Sequence, residues 1–141
     1  MKPTETALEF VDAVNHQHID KMVGMMTPDH LFTDSLGNSI PGRRAMRDAW
    51  LGYFRMVPDY QIEVRETFVK GRVVLAVGTA GGTFVPEGST SGEERFNIQA
   101  VWRAVVERDR ISAWQVFADN EPLRALIQAS QNAASSQEEG S

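Results

Sequence analysis

Two side chains in this sequence have the type and setting to move protons: Asp34 and His30. Residues 30–34 (His30-Leu31-Phe32-Thr33-Asp34) read as a short strand, and alternation puts His30, Phe32 and Asp34 on one face. A carboxylate beside Phe32, with Trp50 or Tyr53 near it, is poorly solvated. That setting makes it a better general base near neutrality. Asp34 also suits a turn through Ser35-Leu36-Gly37, because Asp accepts hydrogen bonds from nearby backbone donors. Both readings stand at this point. His30 is placed to pair with Asp34 across the strand face, as base or as orienting partner. Its other reading is a surface or satisfied histidine. His16 and His18 lie in a polar break, away from His30, so no metal site is expected.

Other chemistries are excluded by composition. The 141 residues include no Cys, which removes disulfides, thiolate metal sites and a Cys nucleophile. The formal charge of −5 argues against a nucleic-acid partner. The best basic cluster, Arg43, Arg44 and Arg47, is offset by Asp48. Gly78 to Gly82 lacks the strand-to-helix setting of a phosphate loop. No stretch approaches the ~20 apolar residues of a membrane helix, and no signal peptide opens the chain. The expectation is a cytoplasmic protein with no membrane or nucleic-acid partner. Aromatic residues are plentiful: Trp50, Tyr53, Phe54, Tyr60, Phe68, Trp102, Trp114 and Phe117. With the Met residues they suit a pocket for a flat hydrophobic molecule, and equally an ordinary core.

These residues need elements to hold them. Ala7, Phe10, Val11 and Val14 predict a helix over 4–15, capped by Thr4 or Thr6. A short second helix carries Ile19, Met22, Val23 and Met26, and Thr27-Pro28-Asp29 ends it. The strand at 30–34 and a loop at 37–42 follow. A third helix over 43–57 has a broad apolar stripe: Met46, Ala49, Trp50, Tyr53, Phe54 and Val57. Strands are expected at 60–69, 72–84, 94–106 and 111–118, with a hairpin turn at Lys70-Gly71 and a Gly/Ser-rich loop over 85–93. On strand 94–106, Phe96, Ile98, Ala100, Trp102, Ala104 and Val106 form one apolar face. Pro122 opens a closing helix through Leu123, Leu126 and Ile127. The fold class is therefore α+β, in the order α-α-β-α-β-β-β-β-α, with helices on one face of a bent antiparallel sheet. One domain is expected over 1–130, followed by a disordered polar tail over 131–141.

This order, with several segments, resembles the SnoaL-like and ketosteroid-isomerase-like superfamily, the cone fold shared with nuclear transport factor two. The segments are 15–26, Phe32-Thr33-Asp34-Ser35-Leu36-Gly37, Gly42-Arg43-Arg44-Ala45-Met46, the helix exit Val57-Pro58-Asp59-Tyr60, and Ile111 through Asp119. The resemblance implies a cone-shaped sheet around the helices, with an apolar pocket at its open end. It also implies a homodimer through the outer sheet face. Phe10, Phe32, Trp50, Tyr53, Phe54, Tyr60, Trp102 and Trp114 are then the candidate ligand-binding residues. Asp34 matches the general base of the isomerase. The superfamily also includes limonene epoxide hydrolase and SnoaL-like polyketide cyclases, and Asp119 matches a catalytic acid of both. The other reading of Asp119 is a cap, by itself or Asn120, on the last helix. Alternation puts it on the Gln115 face, so a bulge is needed to turn it inward.

The complete catalytic sets of the known enzymes are absent. The isomerase's oxyanion donors are a Tyr and a protonated Asp, an arrangement that is itself a standard example of a tuned site. The Tyr position is Phe10 here, and strand 94–106 has no Asp. Losing such donors costs several kcal/mol of enolate stabilisation. The epoxide hydrolase set has Phe32 and Asp34 in place of its Tyr and Asn, and Val77 and Thr79 near its Arg and Asp. Neither activity is expected. What remains is a cofactor-independent cyclase- or isomerase-type enzyme on a hydrophobic carbonyl compound, with Asp34 as acid/base helped by His30 or Asp119. The alternative is a non-catalytic ligand-binding or dimerisation module.

Overall fold

The computed structural model describes residues 1–86, 94–119 and 121–139, without the side chains of 133–139. Four helices and six strands follow one another: α1 (Pro3–Asn15), α2 (Ile19–Gly24), β1 (Met26–Thr33), β2 (Ser39–Pro41), α3 (Arg43–Met56), β3 (Gln61–Lys70), β4 (Val73–Phe84), β5 (Glu94–Glu107), β6 (Arg110–Ala118) and α4 (Glu121–Glu139). This is the expected α+β class. The sheet order is β2-β1-β6-β5-β4-β3. All pairs are antiparallel except β1 with β6, which run parallel. This order brings the first strand beside the last.

The core lies between the helices and the inner sheet face. Phe96, Ile98, Ala100, Trp102, Ala104 and Val106 of β5 are all buried, as period-two alternation requires. Phe10 and Val14 of α1, and Met46, Trp50 and Phe54 of α3, close over them. Two glycines let the sheet bend. A Cβ on Gly78 would collide with the Glu63 carbonyl, opposite the point where the β3–β4 register shifts between Val64 and Glu66. A Cβ on Gly82 would run into Val57 where the α3 exit crosses β4. Asp59 fixes that crossing by accepting the Thr83 N–H at 2.6 Å and the Thr83 hydroxyl at 2.7 Å.

Local expectations change at several points. Neither Thr4 nor Thr6 caps α1: the helix begins at Pro3, whose fixed φ suits the first helical position, and Thr6 is buried inside it. Thr27-Pro28-Asp29 does not end α2 but lies within β1. The ladder to β6 pairs at Met26 and resumes at Leu31, so Pro28 falls where no ladder N–H is needed. The loop at 37–42 contains the three-residue strand β2. The last helix extends to Glu139, beyond the start of the polar segment read as a tail. Most of the Gly/Ser-rich loop, 87–93, lies outside the described residues, as do Asn120 and the chain end at 140–141. Among the described residues, no helix is long and apolar enough to cross a membrane.

Candidate active site

The hairpin between β1 and β2 turns through residues 34–38, and Asp34 organises it. Its Oδ1 accepts the N–H of Leu36 and of Asn38, both at 2.9 Å. Its own N–H donates to the Asn38 carbonyl, and its carbonyl accepts from Gly37 N–H. Gly37 takes the left-handed conformation, φ 88°, that a side chain disfavours. The carboxylate is therefore held rigidly by its own turn, with both turn bonds on one oxygen. Gly42 N–H donates to the His30 carbonyl at 2.7 Å, which fastens the start of α3 to β1 beside it.

A cavity of about 260 Å³ opens behind this hairpin. β1 and its loop supply Phe32, Asp34 and Ser35; α3 supplies Met46, Ala49, Trp50 and Tyr53. Trp102 of β5, Trp114 and Val116 of β6, and Leu123 of α4 complete the wall. Asp34 is the single carboxylate among these residues, and the rest of the lining is mostly apolar. Small-molecule pockets usually span ~300–1,000 Å³, so this one suits a compound of one or two rings. A larger groove runs along α4, but only that helix lines it, through residues such as Glu121, Arg124 and Gln128. It brings no second element to bear on a ligand.

Five of the eight aromatic candidates line the cavity: Phe32, Trp50, Tyr53, Trp102 and Trp114. The other three stand behind them. Phe10 is fully buried with its ring 4.8 Å from that of Trp114. Phe54 packs on Trp50 at 5.5 Å, and Tyr60 meets Tyr53 edge-on at 4.9 Å. They fix the orientation of the lining rings and do not face the ligand space. Ser35, Met46, Ala49, Val116 and Leu123 were not among the predicted lining residues. Met46 and Ala49 were readable as the α3 positions four before Trp50 and four before Tyr53, and Val116 as two beyond Trp114.

His30 does not pair with Asp34. It is 0% exposed, and its Nδ1–H donates to the Ile111 carbonyl at 2.8 Å, a partner that can only accept. Its Nε2 has no partner among the described residues, and the ring is not part of the cavity wall. Burial holds its pKa below the usual histidine value, against the pull of the Ile111 carbonyl and Asp29. It is a neutral, structural histidine joining β1 to β6. Asp119 does not enter the cavity either. It is exposed, and its Oδ1 accepts the Glu121 N–H at 3.1 Å, at the start of α4. β6 carries a register shift between Ile111 and Ala113, but from Ala113 to Ala118 its pairing with β5 is regular, so no bulge next to Asp119 turns the acid inward.

The indole N–H groups of Trp50 and Trp114 find no acceptor among the described residues. Both nitrogens are sealed from solvent, so neither is open to a ligand in this arrangement. Tyr53 differs. Its side chain is half-buried in the cavity wall, its hydroxyl is not among the sealed polar atoms, and no acceptor among the described residues takes it. Burial pushes its pKa up to about 12, so it stays a protonated donor. Among the described residues no group of His, Asp and Glu is placed to hold a metal ion.

Comparison with known proteins bears on this geometry. Residues 7–114 match the SnoaL-like domain. The chain belongs to the SnoaL-like family. Among solved structures, this SnoaL-like chain superimposes on a proposed SnoaL-like polyketide cyclase from Shewanella denitrificans OS-217 with a TM-score of 0.79, at 15% identity, covering 90% of this chain and 97% of that one. A proposed cyclase from Shewanella putrefaciens CN-32 gives 0.78 at 16% identity, covering 92% and 86%. IdmH, a proposed polyketide cyclase from Streptomyces antibioticus, gives 0.74 at 17% identity, covering 94% and 99%. At these identities the likeness establishes the SnoaL-like fold and no more. No curated protein matches the chain.

Proposed function

We propose that this SnoaL-like protein binds a small hydrophobic carbonyl compound of one or two rings and that Asp34 moves a proton on it. The observation that carries this reading is a rigidly held carboxylate, the single one among the described lining residues, on the wall of a mostly apolar cavity. The carboxylate takes a proton from the carbon next to a carbonyl. The C–H electron pair forms the new C=C bond, and the carbonyl π pair moves onto oxygen, giving an enolate. The proton then returns to the same carbon or to another. No electrons leave the ligand, so no cofactor enters the step. The structural neighbours described as polyketide cyclases supply an analogy for a carbonyl substrate. A homodimer through the outer sheet face belongs to the same reading. Phe117, 50% exposed and paired in register with Val101, and Leu31 supply apolar surface there.

A second reading, passive binding, is favoured by one observation: Asp34 already has a structural task in its turn. The two separate by hydrogen exchange. 2-Tetralone and related enolisable aryl ketones are incubated with the protein in D₂O and followed by NMR. Catalysed α-proton exchange above the buffer rate is expected. Binding without exchange across the panel leaves only the passive module.

A further inference from the structure

The proton chemistry proposed for Asp34 creates negative charge on the ligand's oxygen, and that oxygen needs a donor. The positions where the isomerase carries its donors are apolar or non-acidic here. Phe10 is packed against Trp114, and β5 offers no Asp. The sealed N–H groups of Trp50 and Trp114 are unavailable. Among the described residues of the cavity wall, the hydroxyl of Tyr53 is neither sealed nor bonded to an acceptor. Two ring contacts fix its side chain: Trp50 edge-on at 6.2 Å and 86°, and Tyr60 edge-on at 4.9 Å and 90°. A phenol clamped on two sides keeps its hydroxyl in place before a ligand arrives, so binding does not have to order it. Its raised pKa keeps the proton on oxygen at any working pH. Asp34 lies on the β1 loop and Tyr53 on α3, on walls contributed by different elements.

We propose that the Tyr53 hydroxyl is the hydrogen-bond donor for the ligand's carbonyl oxygen, making it the specificity-determining residue of the cavity. The ligand class narrows accordingly. It carries an acceptor oxygen for Tyr53 and an acidic C–H or O–H within reach of Asp34, as in a cyclic ketone, a β-dicarbonyl or a hydroxyketone. A pure hydrocarbon of the same shape fills the space but leaves the phenol unpaired. This inference rests on the ligand-binding reading above, and its test keeps the two apart.

The probes are 2-tetralone and tetralin, which share a two-ring skeleton and differ in the carbonyl. Binding is followed by tryptophan fluorescence, since all three tryptophans of the chain line the cavity. Tyr53→Phe removes only the hydroxyl. A net hydrogen bond is worth roughly a 3- to 10-fold change in affinity. The variant is expected to weaken 2-tetralone by about that factor and leave tetralin unchanged. Its melting temperature is expected to match the wild type, because the hydroxyl has no acceptor among the described residues. Equal affinity of wild type and variant for the ketone overturns the role of Tyr53 and leaves the pocket reading standing. A marked fall in melting temperature reveals a structural partner for the hydroxyl and overturns it as well. Binding of neither probe removes the ligand reading and this inference with it.

Discussion

Replacing Asp34 by Asn and by Ala separates the turn from the chemistry. The two turn bonds, from Leu36 and Asn38, both end on Oδ1. An Asn side chain offers a carbonyl oxygen at that place, so both bonds persist and only the charge is lost. Ala loses both. Each such bond is worth roughly 0.5–1.5 kcal/mol net, toward the low end at this half-buried site, so Ala costs about 1–2 kcal/mol. For a domain of this size that is a fall of about 3–8 °C in melting temperature. Asn should stay within about 0.5 kcal/mol of the wild type. The exchange of ketone α-protons responds differently. An amide cannot take the proton, and loss of a positioned base typically costs 10²–10⁴-fold, about 3–5 kcal/mol of barrier.

The assay pairs thermal denaturation with NMR exchange on the three proteins. The expected pattern is Asn stable and inactive, Ala destabilised and inactive. An Asn variant that exchanges protons at the wild-type rate refutes the base and leaves Asp34 as a turn residue. An Asn variant as unstable as Ala refutes the geometry, because the turn would then depend on charge and not on the Oδ1 acceptor.

Two further expectations concern stability and assembly. His30 is held neutral by burial, so below its ordinary pKa of 6.5 the unfolded chain takes a proton that the folded chain refuses. The His30 contribution is therefore constant above about pH 6.5 and falls as the pH drops from there toward the lowered folded value. NMR titration of the His30 ring is the direct check, and a ring that protonates at or above 6.5 in the folded protein contradicts the assignment. Phe117→Glu puts a carboxylate into the apolar patch of the outer sheet face, next to Val101. If that face joins two copies, the change weakens the dimer by about 2–4 kcal/mol. Sedimentation equilibrium then finds monomer at concentrations where the wild type is dimeric, and identical profiles for the two exclude this face.

The parts of the fold legible in the sequence were those with a strong period. The alternation on β5 predicted all six buried residues from Phe96 to Val106, and the stripe on α3 predicted the buried Met46, Trp50 and Phe54. The start of β1 was not legible. Pro28 looks like a helix stop, and only the parallel partner β6, about 85 residues away along the chain, shows why a proline is tolerated there. The site was legible in part. Asp34 carries its turn chemistry in the local sequence, Asp-Ser-Leu-Gly-Asn. The roles of His30 and Asp119 were not local. One depends on the Ile111 carbonyl across the sheet, the other on whether β6 bulges before α4. Tyr53 could not be distinguished from its aromatic neighbours on α3. What singles it out is a hydroxyl with no acceptor, which a sequence does not display.

The same contrast explains where chemistry can reside in this cone. Its inner end is closed by apolar packing: Phe10 on Trp114, with Val14, Met22 and Met26 fully buried around α1 and α2. A charge developing there would meet no donor, and an unpaired buried charge costs several kcal/mol. In the cavity wall, Asp34 is fixed by its turn and Tyr53 by two rings, on walls contributed by different elements. A ligand oriented with its polar end outward and its rings against Trp102 and Trp114 satisfies both. The reverse orientation turns the carbonyl toward Trp114, whose indole N–H is sealed. On the proposed reading, then, the arrangement selects one binding direction as well as one class of ligand. Paramagnetic relaxation from a nitroxide on the apolar end of a bound tetralone analogue tests that direction. It should broaden the indole signals of Trp102 and Trp114 more than the backbone signals of Ser35 and Leu36, and the opposite order would reverse the assignment.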